Sequence, residues 1–147
     1  MRIHHDAMEA VEAHGAEGYP DEICGVLVGR RSEKTVLEAR RARNFIGEKG
    51  SRWPDLGAER TRDRYELHPQ DHMRIEREAE KAGLEIVGYY HSHPDHPAQA
   101  SIFDANNSWS GYVYLIVAVE KGIPVDRKAF VADDDGGPFR TVAIEVI

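Results

Sequence analysis

Short apolar runs separated by polar segments make up most of the chain, and each run has about the length of one strand. The run ICGVLVG at 23–29 is predicted to be a buried strand, with the segment 35–45 as its partner. EIVGYY at 85–90 is predicted to be a further strand. YVYLIVAV at 112–119 is too apolar for a surface strand, so it is predicted to lie in the middle of the sheet.

Three segments carry helical signals. The first helix is predicted to begin with a capping box at Asp6 and to end at Gly15 or Gly18. Proline suits the first position of a second helix, predicted at 69–83, where apolar residues recur at helical spacing before a glycine. The segment SIFDANNSW at 101–109 is predicted to be a short third helix.

The remaining segments complete one domain. KAFVAD at 128–133 and FRTVAIEVI at 139–147 flank an Asp-Gly-Gly turn and are predicted to form a hairpin. The polar segment 47–63 is predicted to be a long exposed loop. Strands interleaved with three helices indicate an α/β or α+β fold around one mixed sheet, in a single domain that spans residues 1–147.

Composition narrows the classes of function. The chain has 147 residues, of which 41% are hydrophobic and 31% charged, as is typical of one folded domain. Its net charge of −7 has the wrong sign for a nucleic-acid partner. We expect no membrane span and no secretory signal, since no apolar stretch is long enough. Cys24 is the single cysteine, so no internal disulfide can form and a cytoplasmic location is expected.

Two histidines and a carboxylate form a candidate metal site. His91 and His93 stand two apart at the end of a strand, so their imidazoles leave the same face. Pro94 then turns the chain away. Asp104 follows in the first turn of a helix that Ser101 is predicted to cap, and a loop of this length can return its carboxylate over the strand end.

This ligand set predicts zinc and hydrolytic chemistry. With three protein ligands, a tetrahedral zinc ion keeps its fourth position open for water. Hydrolysis also requires a base, and Glu22 is a candidate because it lies at the mouth of the buried strand. Composition alone does not single it out from 26 acidic residues. Ser101 could donate a hydrogen bond to the oxyanion that forms on the attacked carbonyl.

The same residues resemble a known motif. The order Glu22, His91-Ser92-His93-Pro94, Ser101 and Asp104 is similar to the JAMM motif of the MPN (Mov34/PAD-1) metalloproteases, and PDEICGVLVG also resembles that family. The resemblance implies a curved mixed sheet with about three helices, an architecture like that of cytidine deaminases. It also implies that the two histidines and the aspartate bind zinc, that the glutamate is the base and that the serine supports the tetrahedral intermediate.

The resemblance further implies a class of substrate. Eukaryotic members cleave isopeptide bonds at the C-terminal glycine of ubiquitin and often carry long insertions, whereas this chain continues after Asp104 directly into the apolar strand. It is more similar to stand-alone prokaryotic members. The implied function is zinc-dependent hydrolysis of a peptide or isopeptide bond after the Gly-Gly tail of a ubiquitin-like or sulfur-carrier protein.

Alternatives remain at this level. A non-catalytic MPN-type scaffold would bind a partner without hydrolysis, but such scaffolds usually lose a metal ligand. A zinc deaminase would need a Cys pair two residues apart, which a lone cysteine excludes. Cys24 is expected to be a small buried residue, His68 and His72 to be surface residues, and Trp109 and Tyr112 to be core aromatics. Oligomeric state is not predicted.

Overall fold

The three most apolar segments form neighbouring strands of one mixed sheet. In the computed structural model, which describes residues 1–53 and 64–147, these are β2 (Cys24–Arg30), β4 (Glu85–Pro94) and β5 (Val113–Glu120). Strand β4 lies between the other two, antiparallel to β2 and parallel to β5. Helices on both faces of the sheet explain why these strands are apolar on both sides.

Across the described residues, the strands follow the order β7-β6-β5-β4-β2-β3-β1-β8. Besides the three central strands, the elements in chain order are β1 (Arg2–Ile3), α1 (His5–Gly18), a short 3-10 turn (Arg31–Glu33), β3 (Thr35–Ala42), α2 (Pro69–Lys81), α3 (Ile102–Asn106), β6 (Ile123–Ala132), β7 (Phe139–Val142) and β8 (Glu145–Val146).

Each long helix covers one face of the sheet with an apolar stripe. Met8 and Val11 of α1 are buried against the side chains of β2, β4 and β5 that point to that face. Ile75 and Ala79 of α2 are buried against the opposite face. Helix α2 begins with proline in its first turn and stops before Gly83, which has a φ of 73°, so both predicted ends of this helix are confirmed.

Two predictions near the ends of the chain are wrong, one for the start of α1 and one for the last strand. His4, not Asp6, caps α1, because the imidazole of His4 accepts a hydrogen bond from the backbone N–H of Asp6. The predicted strand at 139–147 divides in two. Strand β7 pairs with β6 as expected, but β8 lies at the far edge of the sheet, parallel to β1.

Two predictions of exposure also need correction. Trp109 is not a core residue, since 53% of it is exposed in the turn before β5, whereas Tyr112 is half-buried. The loop 47–63 is not uniformly exposed: Ser51 is buried and donates a hydrogen bond to Glu66 over 2.6 Å. The part of this loop at 54–63 lies outside the described residues. None of the described helices has the length and apolarity to cross a membrane.

His14 joins α1 to the strand that carries the candidate site. Its Nδ1 atom lies 2.8 Å from the hydroxyl of Tyr90. Burial, and to a lesser extent the guanidinium of Arg41, lower the pKa of His14 from 6.5 to about 4. The neutral imidazole is therefore the form that the folded chain favours.

We predict that this histidine makes the fold acid-sensitive. A folded pKa below the unfolded value gives stability that is complete above pH 6.5 and is lost as the pH falls towards 4. His14→Gln keeps a polar partner for Tyr90 but does not titrate. Denaturant unfolding at pH 7.5 and pH 5 should show a smaller loss of stability in this variant than in the wild type. The same substitution at the exposed His96 should change nothing, and equal losses in wild type and His14→Gln would contradict the prediction.

Candidate metal centre

The end of β4 places two imidazoles on one face of the sheet. His91 and His93 point to the face that α2 covers, whereas Ser92 between them points to the face of α1. The hydroxyl of Ser92 accepts a hydrogen bond from the backbone N–H of Ile23 over 2.9 Å. This bond fixes the end of β4 against the start of β2, so the two histidines have a rigid base.

Asp104 reaches the same point from α3. Ser101 caps this helix in a full capping box, as predicted. The backbone N–H of Asp104 donates to Ser101 Oγ over 3.0 Å, and the N–H of Ser101 donates to Asp104 Oδ2 over 2.9 Å. The two bonds fix the aspartate side chain, and its carboxylate is buried over the strand end.

The two imidazoles and the carboxylate converge on one small space. The Nε2 atoms of His91 and His93 lie 3.2 Å apart. Each lies 3.3 Å from one oxygen of Asp104. A tetrahedral zinc ion with bonds of about 2.0–2.1 Å separates its ligand atoms by roughly 3.3–3.4 Å. The spacing and the chemistry of these donors therefore fit a tetrahedral divalent cation.

A neighbouring carbonyl sets the tautomer of His93. Its Nδ1 atom lies 2.8 Å from the carbonyl oxygen of Pro97, which can only accept a hydrogen bond. Nδ1 therefore carries a proton, and in the neutral ring Nε2 offers its lone pair to the shared space. His91 is held differently: the ring of Tyr65 stacks on it, with 4.4 Å between centroids and 24° between planes.

The carboxylate of Asp104 and the two imidazoles stabilise one another's charged forms. Burial alone would raise the pKa of Asp104, but the two imidazoles and the N–H of Ser101 hold it well below its ordinary value. Burial lowers the pKa of His93, yet its hydrogen bonds to Asp104 and Pro97 outweigh this effect and raise it overall. The aspartate is thus an anion at neutral pH, and a positive charge between it and the histidines is favoured.

Glu22 approaches the histidines from the start of β2. It stands two residues before Cys24, which pairs with His91, and its side chain is buried. Its carboxylate and the ligand atoms of His91 and His93 all lie within 4.8 Å of one another, so these three groups could also hold a metal ion. Two carboxylates therefore flank one histidine pair, and the 3.3 Å contacts of Asp104 are the ones that match the edge of a zinc tetrahedron.

Ser101 lies at the exposed edge of the cluster. Its Oγ atom is the acceptor in the capping box. A hydroxyl that accepts one hydrogen bond keeps its hydrogen for another partner. The structure thus brings all five predicted site residues to the same end of the sheet: Glu22, His91, His93, Ser101 and Asp104.

Three further residues were considered as candidates from the sequence: Cys24, His68 and His72. Cys24 is fully buried, and burial raises the pKa of its thiol, so it is a poor nucleophile as expected. His68 caps α2 and is half-buried, and His72 lies 3.0 Å from the hydroxyl of Tyr89. Neither histidine is the simple surface residue that was expected.

The sequence did not predict a role for Asn44, whose side chain connects the backbone of Glu22 to neighbouring segments. Its Nδ2 donates to the carbonyls of Glu22 over 3.3 Å and Arg64 over 3.0 Å. Its Oδ1 accepts from the N–H groups of Ile46 over 3.1 Å and Glu66 over 3.0 Å. All four bonds of the amide thus go to the backbone. An asparagine just after a predicted strand carries no signal of this role in the sequence.

Comparison with known proteins assigns the class. The family described as prokaryotic homologs of the JAB domain matches residues 4–131. The chain belongs to this family, and the predicted JAMM/MPN resemblance is confirmed.

Individual relatives cover nearly all of the chain. A protein from Haloferax volcanii named desampylase is 33% identical over 146 residues, which is 96% of this chain and 92% of that protein. The solution structure of a protein from Salinibacter ruber is 32% identical, with a TM-score of 0.72 over 100% of this chain and 92% of the other. A JAB1/MPN domain protein from Archaeoglobus fulgidus, at 16% identity, shares the fold with a TM-score of 0.58 over 100% and 96% of the two chains. The predicted fold class is thereby confirmed.

We predict that Asn44→Ala destabilises the chain. The substitution removes four hydrogen bonds to backbone groups around the cluster, and we expect the free energy of unfolding to fall by about 2 kcal/mol or more. Denaturant unfolding measures this loss. Asn106→Ala, at an exposed position of α3, is the matched control and should cost less than about 0.5 kcal/mol. A loss at Asn44 no larger than that of the control would show that this network is dispensable.

Proposed function

We propose that the protein is a zinc-dependent JAMM-type peptidase in which His91, His93 and Asp104 hold the metal. The observation that carries this proposal is the convergence of the two Nε2 atoms, 3.2 Å apart, with the carboxylate of Asp104, whose Oδ1 lies 3.3 Å from His91 and whose Oδ2 lies 3.3 Å from His93. Buried Glu22 lies beside them, within reach of the same space. A site for a structural zinc would normally use four protein ligands, whereas three leave a position for the reaction.

Bound zinc supplies a Lewis acid, which polarises the attacked carbonyl and makes water acidic enough to ionise near neutral pH. The chain's own residues then handle the protons. Glu22 accepts the proton of the attacking water and returns it to the nitrogen of the leaving amine. Its buried position beside the histidines restricts the carboxylate to that short path. As the carbon–nitrogen bond breaks, the second proton of the water passes from the new carboxyl group to the amine by way of Glu22, so the products are a carboxylate and an ammonium ion.

Ser101 stabilises the charge that develops on the substrate. Its hydroxyl donates to the carbonyl oxygen as this becomes negative. The capping box supports that role, because the hydrogen bond from the N–H of Asp104 holds Oγ in place. One local motif thus positions both a metal ligand and an oxyanion donor.

The substrate we propose is a ubiquitin-like protein joined through a C-terminal Gly-Gly tail. The relative from Haloferax volcanii supports the modifier class, since its name describes the removal of a protein modifier. We propose that the approach to the metal is narrow and admits a diglycine tail, because bulkier residues would clash. Sulfur-carrier proteins share this tail and belong to the same proposal. A non-catalytic scaffold is less consistent with a complete set of donors and an adjacent carboxylate.

We predict that Glu22→Gln separates metal binding from turnover. The variant should keep one zinc per chain by elemental analysis, while kcat falls by about 100-fold or more because the proton acceptor is lost. His93→Ala should lose the metal itself. Asp21→Asn, at the exposed neighbouring position, is the matched control and should retain both properties. Loss of zinc from Glu22→Gln would make this residue a ligand, and unchanged turnover would remove it from the mechanism.

We also predict metal-dependent cleavage after diglycine. Ubiquitin-like proteins extended beyond Gly-Gly, either linearly or through a lysine, should lose the extension when incubated with the zinc-loaded protein. Mass spectrometry follows the product. A chelator should stop the reaction, and added zinc should restore it. Substrates in which Ala-Ala replaces Gly-Gly should remain uncut. Intact substrates in every case, with one zinc per chain, would reject this substrate class but not the metal centre.

A further inference from the structure

An aromatic cavity opens beside the proposed metal centre. Its volume is about 360 Å³, within the range of pockets that bind small ligands. All of its lining residues belong to the described part of the chain, and they include six large aromatic side chains: Trp53, Tyr65, Tyr89, Phe103, Trp109 and Tyr114. Asp104 forms part of its wall, and Tyr65 is the ring that stacks on His91. The cavity therefore borders the cluster.

The walls of this cavity are more apolar than the residue types suggest. The hydroxyl of Tyr89 lies 3.0 Å from the imidazole of His72. The hydroxyl of Tyr114 accepts the backbone N–H of Trp109 over 2.7 Å. Each hydroxyl thus has one partner within the protein, and the two rings contribute carbon surface. Trp53 and Phe103 contact each other, with 5.0 Å between centroids, and extend that surface.

The acidic residues that line the cavity outnumber the arginine there, which disfavours an anion. Asp104 contributes a carboxylate to the wall. Glu66 contributes another, which pairs with Arg52 over 3.1 Å and accepts the hydroxyl of Ser51. The guanidinium of Arg52 also lies 4.6 Å from the ring centroid of Trp53, so its charge is already engaged. A large uncharged side chain suits this site, and an acidic one does not.

The geometry points to this cavity as the subsite for the side chain of the residue that follows the cleaved peptide bond in a linearly extended substrate, with large apolar and above all aromatic side chains preferred. The inference rests on the proposed function. The two glycines next to the cleaved bond have no side chains, so neither of them can fill an aromatic cavity of about 360 Å³. The leaving group is the other part of the substrate next to the cleaved bond, and Asp104 places the cavity beside the proposed metal site. An aromatic lining favours an aromatic occupant beyond its area alone.

Binding can be measured apart from activity. The chain has two tryptophans, and both line the cavity. The short amides Phe-Ala-NH2 and Asp-Ala-NH2 are titrated into the metal-free protein while tryptophan fluorescence is recorded. Saturable quenching or a spectral shift is expected with the phenylalanine peptide, at a concentration about tenfold or more below any effect of the aspartate peptide. Equal responses to both peptides would overturn the inference.

Cleavage gives the second test. One ubiquitin-like protein is extended beyond Gly-Gly by X-Ala, where X is Phe, Leu, Ala or Asp, and kcat/KM is compared. We expect Phe to exceed Asp by about 10- to 100-fold, with Leu and Ala between them. Trp109→Ala should reduce this ratio to a few-fold, and the half-exposed Trp109 can be removed without opening the core. Ile123→Ala, an exposed apolar residue at the start of β6, is the matched control and should retain the ratio.

The outcomes distinguish a failure of the cavity inference from a failure of the proposed function. Cleavage of all four substrates at one rate overturns the cavity inference and leaves the proposed function standing. Cleavage of none, together with selective binding of the phenylalanine peptide, overturns the proposed substrate but keeps the cavity as an apolar binding site. An unchanged ratio in Trp109→Ala and in Phe103→Ala overturns the assignment of the preference to this cavity.

Discussion

The pairing of β4 with β2 is the constraint on which the centre depends. Strand alternation sends His91 and His93 to one face, but only the register against β2 brings Glu22 to them, because Cys24 pairs with His91. A shift of one residue would turn the imidazoles towards α1. The hydrogen bond from Ile23 to the hydroxyl of Ser92 fixes this register at the point where the strands end.

A second constraint is the free-energy cost of burying the polar and charged side chains of the cluster. Two imidazoles and two carboxylates are costly to bury unless they interact with one another or with an ion. Among the described residues, every buried side-chain nitrogen and oxygen has a hydrogen-bond partner. The capping box of α3 contributes to this balance, since it gives Asp104 a partner before any cation is considered. The first turn of α3 thus stabilises the helix and also positions a residue of the site.

The sequence predicts local features better than long-range ones. The shared face of the histidines and the capping of α3 follow from spacing over a few residues, and both are confirmed. Glu22 was a candidate because of its position at the mouth of β2, but the specific order of residues that links it to the histidines was recognised through the family resemblance. Asn44 was missed because its partners, including Arg64, come together only when distant segments meet. Trp109 was misplaced because its apolar character says nothing about the exposed turn in which it lies.

The aromatic residues explain how a polar centre and an apolar cavity can share a wall. The ring of Tyr65 stacks on His91 and also lines the cavity. Burial raises the pKa of its hydroxyl well above the ordinary value, so the residue stays neutral beside the charged cluster. A neutral ring at this position excludes water from one side of the centre without adding charge. Electrostatic interactions inside the centre are stronger for that reason, because the local dielectric is low.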